Sequence, residues 1–193
     1  NSEGKDFKKL EDIRLTYADK WIFSRLNNVV KEVTINLNKY EIGLATGKLY
    51  DFVWSDFCDW YIEATKPMLY GENERAKLNA LTVLNFVLDE ILKLMHPFIP
   101  FVTDEIYQYK QTGKCHALMM QEWPKYNKKF NYYKEAKAFE GVMDIIKAIR
   151  NVRNEMQVAP SKKIKVYVKA GEHAAVVEKL STYIEKMAGV GEV

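Results

Sequence analysis

Cysteine is nearly absent: Cys58 and Cys115 are the only two, far apart and outside any Cys-x-x-Cys pattern. Neither a disulfide framework nor a thiolate zinc site follows from such spacing, and a reduced, cytosolic (cytoplasmic) setting is the expectation. Histidine is equally scarce. The residues three before His96, His116 and His173 are Lys93, Gly113 and Ala170, so the Glu-x-x-His pairs of a di-iron helix bundle are missing. Also missing are the Gly-x-x-x-x-Gly-Lys phosphate loop, Gly-x-Gly-x-x-Gly, His-Glu-x-x-His and Gly-x-Ser-x-Gly. The longest apolar stretch, around Leu81 to Val102, is broken by Asp89, Glu90, Lys93 and His96. A membrane-spanning helix needs roughly 20 mostly apolar residues, so no membrane partner is expected. No secretory signal precedes Phe7 and no repeat is visible. A large excess of one charge is lacking too: at +3 the chain does not announce a nucleic-acid ligand by composition, and any basic surface must come from how the cations are distributed.

What remains is the make-up of an ordinary globular protein, with 48% apolar and 28% charged residues in 193. That length supports one domain with a core and a small second unit. The start at Asn1 and the stop just after a half-formed unit suggest an excerpt from a longer protein.

Residues 1–18 read as a polar lead-in. From Asp19, taken as an N-cap, Ile22, Leu26, Val29, Val33 and Leu37 step by three or four, the mark of an amphipathic helix. A second helix runs from Ile42 to Ala64 and is stopped by Pro67. Its stretch Trp54 to Pro67 is crowded with aromatics and acids, with Val53, Phe57, Trp60 and Ala64 expected to face the core and Trp54 and Trp60 to anchor it. After a turn at Gly71, a third helix carries Leu81, Leu84, Leu88, Ile91 and Met95 up to His96-Pro97. Thr103 reads as the N-cap of a brief fourth helix. Residues 113–129 read as a connecting loop, and a fifth helix buries Phe139, Val142, Ile146, Ile149, Val152 and Met156. Then the period changes to two over Ile164, Val166 and Val168, which predicts a strand, before a last helix through Val176, Val177, Leu180 and Ile184. The expected fold is all-α: an up-and-down helix bundle over 19–158, with a small truncated strand-helix appendage over 159–193.

Asp56, Asp59 and Glu63 are close enough on one helix to form an acid/base pair, but acids on an outer helix face are usually solvated. His96 reads as a helix-end residue facing terminal carbonyls. No catalytic site is expected in these residues.

Asp19 to Asn27, Trp54 to Pro67 and Met95 to Tyr107 occur in this order in the anticodon-binding domain of class I aminoacyl-tRNA synthetases, which this chain resembles. Phe57-Cys58-Asp59-Trp60-Tyr61, and Ile149 to Met156 leading into Pro160-Ser161-Lys162-Lys163, are similar to the valyl-tRNA synthetases of bacterial type. The resemblance covers nearly all of residues 15–193. It implies a parent enzyme that joins valine to tRNA(Val) using ATP and Mg, with its His-Ile-Gly-His and Lys-Met-Ser-Lys-Ser signatures, editing domain and coiled coil outside this chain. It implies for the chain itself no cofactor, no catalysis, and two partners: the tRNA(Val) anticodon arm and the catalytic domain of the same polypeptide.

In an up-and-down bundle the start of the first helix lies beside the end of the second and the start of the third. That end would collect Lys20, Trp21, Arg25, Lys66, Tyr70, Arg75 and Lys77. Trp21 and Tyr70 are the candidates for stacking on bases, and Arg25, Arg75 and Lys77 for phosphates or base edges. The alternative is that Trp21 staples the bundle's entry and the charges are solvated helix ends. A second basic set, Lys147, Arg150, Arg153, Lys162 and Lys163, would track the tRNA stem or meet the catalytic body. Two other readings stay open: an isoleucyl-type relative, and a helical protein docking module without RNA.

Overall fold

The computed structural model describes residues 10–110, 117–159, 162–171 and 174–192; Cys115, His116, His173, Pro160 and Ser161 lie outside them. Two compact units emerge, one ending at Tyr132 and the other beginning at Tyr133. The fifth helix of the sequence pattern lies in the second of these units.

In the first unit, α1 (Tyr17–Asn38) and α2 (Ile42–Asp51) lead through a π-helical stretch (Phe52–Ile62) into α3 (Glu63–Leu69). α4 (Glu74–Met95) and α5 (Pro100–Lys110) follow. α1 packs on α2, on the π-helical stretch and on α4, while α3 packs on α4. Cross-links between α1 and the second helix pair Asp19 with Tyr61, Arg25 with Asp56 and Glu32 with Lys48. One number rises as the other falls, so the two run antiparallel, as expected for an up-and-down bundle.

α1 is capped by Thr16, not Asp19. The Thr16 hydroxyl accepts from the Asp19 N–H (3.2 Å), and the Asp19 carboxylate accepts from the Thr16 N–H (2.8 Å), a complete capping box. The second helix brings two further corrections. Its core face is Phe52, Phe57 and Tyr61, not Val53, Phe57 and Trp60, and Trp54 is 54% exposed. Steps of five and then four fit the wider π-helical turn, whereas the sequence reading assumed a uniform α-helical period. Nor does Pro67 stop the helix, which continues to Leu69. Proline supplies no N–H to the turn before it. Near the helix's start the Thr65 hydroxyl donates to the Ile62 carbonyl at 2.8 Å.

α5 starts at Pro100, a favoured first-turn position for proline. Thr103 therefore lies inside the helix, buried, its hydroxyl donating to the Ile99 carbonyl (3.0 Å). His96 Nδ1 meets that same hydroxyl at 2.8 Å, a side-chain partner where the sequence pattern expects the helix-end carbonyls. Among the described residues no helix is long and apolar enough to cross a membrane.

The second unit holds α6 (Tyr133–Glu155), β1 (Ile164–Lys165), α7 (Ala174–Lys179), α8 (Ser181–Ala188) and β2 (Val190–Glu192). β1 and β2 pair in parallel, so the expected strand has a partner that the sequence pattern did not reveal, and it is shorter than the alternation through Val168 suggested. α6 packs on α8 through Phe139, Ile146 and Ile184, and the Phe139 ring meets Tyr183 edge-on at 5.5 Å.

Candidate nucleic-acid interface

The residues expected at one bundle end separate into two levels. Asp19 and Tyr61 mark the lower one, where the buried phenol donates to the Asp19 carboxylate at 2.6 Å. From Tyr61 the helix climbs about 13 Å to Tyr70 at the usual rise per residue. The turn there is tight: a Cβ on Gly71 would lie 2.8 Å from the Pro67 carbonyl oxygen, so glycine is required by close approach. Asn73 then caps α4 by accepting the Ala76 N–H at 3.0 Å. The α3–α4 hairpin thus projects past the start of α1.

Lys66, Tyr70 and Arg75 occupy this tip and are exposed, Tyr70 to 84%. Lys66 pairs with Glu63 and Lys77 with Glu74 (3.6 Å), each within its own helix. Such exposed pairs are weak, on the order of 0.5 kcal/mol, and open readily for a stronger anion. The tip therefore presents one large aromatic face among three cations.

The lower level is different. Trp21 is only 1% exposed and cannot offer a face to a base, so its assignment as a stacking residue is overturned in favour of bundle packing. Indole is the largest side chain available to fill the space between α1 and its neighbours, and its position among Ala18, Ile22 and Phe23 places it inside. Arg25 is committed to Asp56 at 2.7 Å. Lys20 lies 5.5 Å from the centre of the Tyr132 ring.

Tyr132 ends a feature that begins within the connecting loop expected over residues 113–129. Residues 123–132 form a strap laid antiparallel along α1. Trp123 Nε1 donates to the Thr34 hydroxyl (2.9 Å), and the Asn127 N–H donates to Asn27 Oδ1 (2.8 Å). Nearer the start of α1, the Ser24 hydroxyl donates to the Phe130 carbonyl (3.0 Å) and accepts the Tyr132 N–H (2.9 Å). Phe130 stacks on Phe23 at 4.9 Å and so nails the strap into the core. The signal was present: Lys20, Ser24, Asn27, Lys31 and Thr34 form one polar stripe at helical spacing. Ser24 and Asn27 are buried, which polar residues tolerate only when hydrogen-bonded.

The second basic set also divides. Arg153 is buried, and its guanidinium donates to the carbonyls of Ala188 (3.2 Å), Gly189 (2.9 Å), Ala159 (2.7 Å) and Lys162 (3.0 Å). Arg150 reaches the Met187 carbonyl with Nε (3.0 Å) and with a terminal nitrogen (2.6 Å). The last carbonyls of a helix lack partners within it and carry partial negative charge, so these two arginines finish α8. A cleft of about 440 Å³ opens beside them, lined by Asn154, Gln157 and Lys186 among others. Arg153, expected to track the tRNA stem or meet the catalytic body, is instead a buried structural tie. Lys147 pairs with Asp144 at 3.4 Å, and Lys162 and Lys163 are exposed.

Burial, helped by Asp59, pushes the Cys58 thiol up from its ordinary range. Just before the strap, the hydrogen bond and charge of Lys125 lower Glu122, and Glu122 raises Lys125 in return. Among the described residues no group of three His, Cys, Asp or Glu side chains could hold a metal.

Residues 19–168 match the family described as the anticodon-binding domain of tRNA ligase. The chain belongs to that family. It is 46% identical over 183 residues to a valine-tRNA ligase of Clostridium acetobutylicum, covering 94% of this chain and 20% of the relative. A valine-tRNA ligase of Clostridium tetani is 44% identical over 187 residues, 97% of this chain and 21% of the relative. One of Bacillus cereus is 40% identical over 193 residues, 97% of this chain and 22% of its own length. The chain thus spans about a fifth of the curated relatives it matches.

Proposed function

We propose that this chain binds the anticodon arm of tRNA(Val) within a valine-tRNA ligase, and holds it so that the acceptor end reaches a catalytic domain on the same polypeptide. The observation that carries this reading is the exposed α3–α4 tip, Tyr70 among Lys66, Arg75 and Lys77, in a chain of the anticodon-binding family. RNA loops are recognised by splaying bases onto aromatic or guanidinium planes while cations meet phosphates. Tyr70 offers the plane, Arg75 a fork for a base edge or phosphate, and Lys66 and Lys77 point charges.

Valine specificity rests on the relatives' names, which favour it over an isoleucyl-type parent. ATP and Mg²⁺ belong to the parent's catalytic body in this reading, since the sequence has no phosphate-cradling loop. The setting is the cytoplasm, where tRNA is charged. The chain contributes binding and orientation, and chemistry happens elsewhere.

Filter binding of the 193-residue chain to the tRNA(Val) anticodon stem-loop tests this. Affinity should fall steeply with salt as counterions are released, and should drop when the anticodon is altered. No RNA binding even at low ionic strength would overturn it.

A further inference from the structure

We infer that the strap over α1 is a second RNA-binding surface, separate from the hairpin tip, that tracks a single-stranded or loop segment of the same RNA arm. This rests on the reading of the chain as an anticodon-arm binder.

Three observations carry it. First, the strap concentrates cations on an exposed run: Lys125, Lys128 and Lys129 are all exposed and residues 123–132 include no acid, while the preceding Glu122 pairs with Lys125 at 2.9 Å. Second, cations and aromatics alternate along it. Lys31 lies 5.8 Å from the centre of the Tyr126 ring, itself 41% exposed, and Lys20 stands 5.5 Å from that of Tyr132. Aromatic platforms among lysines are how single-stranded RNA is held without reading sequence, with bases stacking and phosphates meeting the charges. From Lys31 to Lys20 is about 16 Å of helix, the axial rise of about five stacked nucleotides.

Third, the strap is built to be rigid. Asn27, buried in α1, donates through Nδ2 to the Asn127 carbonyl (3.0 Å) and to Asn131 Oδ1 (2.8 Å). Asn131 in turn donates to the Tyr126 hydroxyl at 2.6 Å, which fixes the ring's position. Asn127 Oδ1 accepts the Lys129 N–H at 3.0 Å and sets the short helical turn Lys128–Phe130 that displays both lysines. These bonds satisfy the buried polar groups of α1, and a binding loop gains as well by having its ordering cost met on folding.

The test measures anticodon stem-loop binding by the 193-residue chain across a salt series, for the unmodified chain, Lys128→Ala with Lys129→Ala, Tyr126→Leu, and Arg75→Ala as the tip variant. Removing two phosphate contacts should reduce the slope of log K against log salt by about 1.4, at about 0.7 per contact on a single strand. Tyr126→Leu should weaken binding about 5- to 150-fold and leave the slope alone, as loss of one stacked base would. Circular dichroism on each variant checks that the helices persist; these side chains are exposed, and the strap's backbone anchors are untouched. Wild-type affinity and slope in both strap variants, with Arg75→Ala weakened, would overturn the strap and leave the tip standing; a strap made to seat a protein would give that same result. Weakening by the strap variants alone would support the strap and move the primary site away from the tip. No RNA binding by the unmodified chain would overturn both.

Discussion

The hairpin tip and the end of α6 hold cations of the same kind in similar sequence settings, yet the two sites use them in opposite ways. At the tip, Lys66, Arg75 and Lys77 stand outside the core, with intrahelical partners for the two lysines. At the end of α6, Arg150, exposed, and Arg153, buried, both donate to the carbonyls of Met187, Ala188 and Gly189. What separates them is geometry. A guanidinium beside a helix C-terminus finds orphan carbonyls and a favourable dipole, while one on the first turn of a helix finds neither. A basic residue beside a helix C-terminus is therefore a candidate backbone tie before it is a candidate ligand contact.

Trp21→Ala should be the most damaging change, costing about 3–5 kcal/mol by opening a cavity. Urea unfolding would register it, and any loss of RNA affinity in that variant would follow stability and not contact. Arg153→Met should cost about 3 kcal/mol, since buried carbonyls lose a charged donor, and should be seen as lost protection of α8 amides in hydrogen exchange. If instead it weakened RNA binding with no change in protection, the contrast between the two sites would collapse. Tyr61→Phe should cost about 1.5–3 kcal/mol, because a hydrogen bond to a carboxylate is lost at the junction of α1 and the π-helical stretch.

A smaller effect of opposite sign is expected at the end of α1. Tyr40 adopts φ 60° in a turn where Glu41 N–H returns to the Asn36 carbonyl (2.9 Å) and Tyr40 N–H to that of Leu37 (3.0 Å), a position that favours glycine. Tyr40→Gly should raise stability by about 1 kcal/mol in the same denaturation experiment. Arg75→Ala should move stability least, within about 0.5 kcal/mol. Its effect should appear in RNA affinity alone, which is the behaviour that sets the tip apart from α6.

The pattern of legibility follows from the same physics. α1 and α4 could be read from the sequence because their apolar positions keep a regular period against a single core. The π-helical stretch could not, because its core residues Phe52, Phe57 and Tyr61 are spaced five and four, and a fixed α-helical period selects Val53 and Trp60 instead. Trp21 was misassigned because aromatic character alone does not distinguish a stacking face from a core plug. The strap carries no periodicity of its own. Its trace was in the helix beneath it, where Ser24 and Asn27 are polar residues that only a hydrogen-bonding partner could cover. The family resemblance was readable in full because it sits on contiguous motifs, and the site was not, because it depends on which side chains reach solvent.

The most direct measurement is the salt dependence of anticodon stem-loop binding for the unmodified chain and for Arg75→Ala, side by side. The expected result is steep salt dependence in the unmodified chain, with weaker binding and a slope smaller by about 0.7 in the variant at unchanged stability. Equal affinity and equal slope for the two proteins, both folded, would contradict the assignment of the α3–α4 tip.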